Sequence, residues 1–123
     1  MHIEPVDERD SSWDDSRPRF RVYRYRQDHP AASWTTLTDD VNGADVLEVI
    51  TWAHEQAGAD QLYAVALVVD DRAQPEGQQR GLVWLLGDDL PNADPADLTD
   101  PQQLSLAAMF RRRNEYRAAQ GAG

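Results

Sequence analysis

The run Gln61–Val69 (QLYAVALVV) constrains the fold more than any other segment of this chain. Val, Leu and Tyr in a short run favour strand. The run is far shorter than the roughly 20 apolar residues that cross a bilayer as a helix. It is apolar at odd and even positions alike, so as a strand it needs cover on both faces. Gly81–Leu86 (GLVWLL) has the same character. The polar stretch Asp70–Arg80, with Pro75 and Gly77, joins the two as a hairpin.

An earlier pair of strands precedes this hairpin. Arg19–Arg26 alternates with period two, Phe20 and Val22 against Arg19, Arg21 and Tyr23. Gln27–Ala32 reads as a turn and Ser33–Leu37 (SWTTL) as a short second strand. Thr38–Asn42 breaks the chain into a helix from about Ala44 to Ala57, stopped by Gly58. Val46, Ile50, Ala53 and Ala57 form its inward stripe, flanked by Leu47 and Val49. A last helix starts with Asp100 at the N-cap, Pro101 in the first turn and Gln103 completing a capping box. Leu106, Met109 and Phe110 share its inner face, with Leu104 alongside, and Ala118–Gly123 frays.

The order β-β-α-β-β-α predicts an α+β fold: a four-stranded, mostly antiparallel sheet with two helices. Strand one is expected on the outside, and strands three and four covered on both faces. Residues 1–16 read as an irregular arm tied down by Trp13, residues 17–119 as a single α+β domain and residues 120–123 as a frayed tail. Ile50, Val65, Leu67, Val69 and Leu85 are the expected core.

Composition narrows the function classes. A chain of 123 residues suits one domain. With no cysteine, disulfides, thiolate metal sites and cysteine nucleophiles are excluded. The acidic opening segment has no apolar run of the signal-peptide kind, so a cytoplasmic address with no membrane partner is expected. Net charge is -10, which disfavours nucleic acid and anionic surfaces as partners. All 12 basic residues are arginine and Asp outnumbers Glu by 16 to 6, as a GC-rich coding sequence favours. Five arginines and no acid fall in residues 17–26, and four more arginines follow position 110. Such islands meet acids within the fold or on a partner.

Several chemical motifs can be weighed. His54–Glu55 lacks the second histidine of a helical zinc site, since the position four residues on is Gly58. Aspartate pairs recur at 14–15, 39–40, 70–71 and 88–89. With strands running up, down, down, up, Asp39, Asp40, Asp70 and Asp71 fall at one end of the sheet, the oxygen-rich setting a hard cation wants. The spacing fails the EF-hand pattern, and aspartate also serves simply to end strands. No metal, no cofactor and no catalytic residue is assigned. The segment RFRVYRYR has the arginines and aromatics of a nucleic-acid surface but not the RNA-recognition strand pattern.

Trp52 fits its context least. A helical wheel places it opposite the apolar stripe, among Asp45, Glu48 and Glu55. Trp is enriched at binding hot spots, so these four residues are the candidate contact surface for a protein partner. The functional expectation is a non-enzymatic, protein-binding accessory or regulatory domain, a monomer or a homodimer. The alternatives are a small carboxylate- or divalent-metal-dependent enzyme and an RNA-binding surface on the first strand.

Overall fold

The computed structural model describes residues 1–11, 13–14 and 16–121. Asp15, and residues 122 and 123 of the expected tail, lie outside them. Strands β1 (Arg19–Arg26) and β2 (Thr35–Val41) are followed by helix α1 (Val46–Ala57). Strands β3 (Gln61–Asp70) and β4 (Arg80–Leu86) come next, and helix α2 (Asp100–Gly121) closes the order. All strand pairs are antiparallel and the sheet order is β2-β1-β3-β4. The fold is α+β, with the element order read from the sequence.

The sheet is a middle layer between two apolar clusters. On one face Phe20 and Val22 of β1, and Tyr63 and Val65 of β3, pack against Val49, Ala53 and Ala57 of α1. On the other, Tyr25, Leu62 and Ala64 pack against Met109, flanked by Leu106 and Phe110 of α2. Side chains alternate between faces along a strand, and that alternation in β1 and β3 supplies both clusters. β3 is therefore covered on both sides, as its two-faced apolar run requires.

The capping signals act locally. Asp45 Oδ1 accepts from the Glu48 N–H at 2.8 Å, and Glu48 Oε1 from the Asp45 N–H at 3.2 Å, a reciprocal box that starts α1. Gly58 ends it at φ +57, its N–H donating to the His54 carbonyl. For α2 the box sits one residue earlier than the sequence suggests. Thr99 Oγ1 accepts from Gln102 N, and Gln102 Oε1 from Thr99 N. Asp100 and Pro101 occupy the first turn.

Other expectations need correcting. β1 is a central strand, not an outer one. β2 runs from Thr35 to Val41 rather than 33–37. Trp34 stays outside it because Asn92 takes its backbone, accepting from its N–H at 2.8 Å and donating to its carbonyl at 2.9 Å. Asp39 and Asp40 stay inside it because β1 supplies an arginine to each. β4 is an edge strand and is not covered on both faces; Leu85 is 41% exposed, so it is not core. Of the other expected core residues, Val65 is fully buried while Ile50, Leu67 and Val69 are half-buried. In α1 Val49 is buried, whereas Val46, the first residue of the helix, is exposed. Leu104 is exposed. Trp13, 72% exposed, does not tie the arm down, and every described residue up to Arg17 is exposed. α2 continues through Gly121 instead of fraying from Ala118.

Candidate functional site

The candidate site is a groove between α1 and the edge strand β2. Its volume is about 560 Å³, and Asp39, Asp40, Val41, Ala44, Glu48, Val49 and Trp52 line it with Asn42. Trp52 is three residues after Val49, so its ring lies on the flank of α1 that overlooks β2. It is 38% exposed. The sequence reading is corrected here, because Trp52 is at the border of the packed stripe rather than opposite it. The buried residues of α1 are Val49, Ala53 and Ala57, and with Val49 in place of Ile50 the packed face lies closer to Trp52 than the expected stripe of Val46, Ile50, Ala53 and Ala57 does.

Of the residues expected beside Trp52, Glu48 lines the same groove. Asp45 lines a neighbouring cavity of about 870 Å³ with Arg17, Phe20 and Val46. The capping box engages both carboxylates with the helix start. Glu55 is exposed and does not line the groove. Asp39 and Asp40, missed as site residues, contribute instead. The signal that locates Asp39 is β2 itself: a strand that runs through Val41 sets Asp39 on the same face as Val41, toward the helix, and Asp40 on the other.

The electrostatics of this end of the sheet come from arginines of β1. Arg21 Nε donates to Asp40 Oδ1 at 2.7 Å and its Nη2 to Oδ2 at 3.2 Å. Arg19 approaches Asp40 at 3.9 Å and Asp70 at 3.6 Å, and Arg80 Nε donates to Asp70 at 3.0 Å. These five charges make one ladder across all four strands. The Arg21 hydrogen bond holds the Asp40 carboxyl below its ordinary pKa. On the α1 side Arg24 Nη2 donates to Asp39 at 3.3 Å. The expected juxtaposition of Asp39, Asp40 and Asp70 at one sheet end is present, and each carboxylate has an arginine partner. Among the described residues no group of three or more His, Asp or Glu side chains takes up metal-holding positions.

The remaining sequence candidates have packing roles. His54 Nδ1 and the Tyr63 hydroxyl are hydrogen-bonded at 3.0 Å, and the imidazole meets the Tyr63 and Tyr116 rings edge-on. The tyrosines of β1 lie on the α2 side of the sheet. Tyr25 is fully buried with its hydroxyl donating to Asp89 at 3.0 Å, and Tyr23 packs on Trp84. The second arginine island does not reach the acids of α1. Arg113 lies 5.0 Å from the centre of the Phe110 ring, Arg117 Nε donates to the Ala59 carbonyl, and Arg111 faces Glu115 one turn on. Burial, with Arg117 nearby, lowers the Arg113 pKa. Among the described residues no helix is long and apolar enough to cross a membrane. No protein-family model, curated protein or solved structure matches the chain.

Proposed function

We propose that this chain is a non-enzymatic, protein-binding accessory or regulatory domain that takes an extended, basic segment of its partner into the groove between β2 and α1. One observation carries the reading: Trp52 stands partly exposed in a groove whose charged side chains, Asp39 from β2 and Glu48 from α1, are both acidic. The apolar floor from Val41, Val49 and Trp52 supplies an anchor, and the acids supply a rim. β2 is paired on one side only, so its outer backbone groups can receive a further strand, the usual way an extended peptide docks on a sheet edge. Arginine or lysine side chains at alternate positions of that segment would meet Asp39 and Glu48. The acidic rim speeds encounter more than it tightens the complex, so association slows as salt rises.

The two alternative readings draw less support. In the carboxylate or metal reading, Asp39, Asp40 and Asp70 would have to be released from arginine. In the RNA reading, Asp40 and Asp70 stand among the arginines that would meet phosphates, and Tyr25 is buried away from any base.

The test is selection of displayed random peptides on the immobilised protein, followed by titration. Lysine- or arginine-rich sequences should be enriched. Trp52→Ala should weaken the selected peptide by about tenfold or more, the scale of a hot-spot loss. Enrichment of acidic sequences, or equal binding to Trp52→Ala, sinks the proposal.

A further inference from the structure

The two edges of the sheet differ in kind. β2 carries two aspartates and three threonines (TTLTDDV), whereas β4 (RGLVWLL) carries one arginine and no acid. Sheet edges in soluble proteins are normally blunted by charge, since a bare edge pairs with other chains. In β4 the only charge is at the first residue. Val83 and Leu85 are 50% and 41% exposed in its middle and at its end. Residues 80–84 pair one for one with β3, and the irregularity that displaces Leu85 follows only at the end of the strand.

We infer that β4 is a self-association edge, and that two copies of this chain pair β4 against β4 antiparallel, extending two four-stranded sheets into one of eight strands. Charge identifies the occupant as a second copy. Arg80 opens the strand, and Asp88 follows its end just past the turn at Gly87. Antiparallel pairing brings the arginine end of each copy to the aspartate end of the other, twice, with Val83 and Leu85 of both copies between. Arg80 has one nitrogen on Asp70, and its side chain is still 55% exposed, so the guanidinium can face a second carboxylate. A strand paired with itself in this way is isologous and closes as a dimer. At a net charge of -10 per chain, copies repel over most of their surface. Within the sheet, β4 is the strand that also leaves its edge open and holds no acid. The groove beside β2 is at the opposite edge, so a dimer would present two of them facing away from each other.

Light scattering after size-exclusion chromatography, with sedimentation equilibrium, reads this directly on the full chain. The wild type should show a reversible dimer with a dissociation constant of about 10–100 μM, the range of a small interface. Val83→Lys should give a monomer with an unchanged circular dichroism spectrum and melting curve. Arg80→Asp should weaken the dimer about tenfold, and adding Asp88→Arg should restore it. Leu104→Lys, on an exposed apolar residue of α2, should leave the dimer intact. A wild type that stays monomeric to several times about 100 μM, a Val83→Lys chain that still dimerises, or a charge exchange that fails to restore the dimer overturns the inference.

Discussion

Arg21 and Asp40 face each other across the β1–β2 ladder, joined by two hydrogen bonds of 2.7 and 3.2 Å. Paired charge-assisted bonds of this kind are the strong form of the contact, yet both side chains are partly in water. The pair keeps an aspartate inside a strand where the residue type alone argues for a break.

The sign of its pH dependence follows from the lowered Asp40 pKa. A depressed carboxylate stabilises the fold above its unfolded value of about 3.9. That contribution disappears as pH falls through the lower native value. Asp40→Asn should cost no more than about 1 kcal/mol at neutral pH, as for a solvent-screened pair. In acid the difference from wild type should close. Urea melts across the acid range check this, and a gap that widens on acidification would contradict it.

Tyr25 gives the opposite limb. Burial, reinforced by the charge of Asp89, raises its pKa well above the ordinary tyrosine value. The native state keeps a proton that the unfolded chain releases above about pH 10, so stability is full below that pH and declines above it. Tyr25→Phe should cost about 1 kcal/mol at neutral pH through the lost hydrogen bond to Asp89, and its stability should fall less steeply in alkali. Part of the decline should persist, because burial also raises Tyr63.

The packing of α2 predicts a contrast between two residues five positions apart. Met109→Ala removes a side chain buried in the second cluster and should cost about 2–5 kcal/mol. Leu104→Ala, on the exposed face of the same helix, should stay within about 0.5 kcal/mol of wild type. Equal effects in denaturant melts would mean that α2 is docked by another face.

Two glycines separate backbone strain from crowding. Gly43 and Gly87 have similar φ values of +74 and +70. A Cβ on Gly43 meets nothing within 4 Å, so Gly43→Ala should cost about 1–2 kcal/mol, the left-handed penalty alone. A Cβ on Gly87 would stand 3.0 Å from the Ala64 Cβ and 3.3 Å from the Tyr63 carbonyl. Gly87→Ala should therefore cost about 2–4 kcal/mol, with crowding added to strain. Thermal melts of the two variants should differ in that order.

What the residues determine without the fold is local. Period-two alternation in Arg19–Arg26, the doubly apolar run of β3, the stop at Gly58 and the inner face of α2 follow from spacing and from single side chains, and all are present. The element order and the sheet between two helices follow from them, because β3 needs two covers and the chain provides two amphipathic helices. Tertiary structure decided what depends on partners distant in sequence. Asp39 and Asp40 belong to β2 because Arg24 and Arg21 sit across from them. Trp34 is left out of the strand because Asn92 binds its backbone. β1 is central and β4 is an edge because of the pairing order, which spacing along one strand does not encode. Leu85 and Val65 are equally apolar, and one is exposed and the other buried for that reason. The same holds for the groove. The sequence singles out Trp52 and Glu48 as neighbours on a helix. Only the pairing of β2 with β1, in the register that sets Phe20 against Val41 and Val22 against Asp39, brings Asp39 to face them.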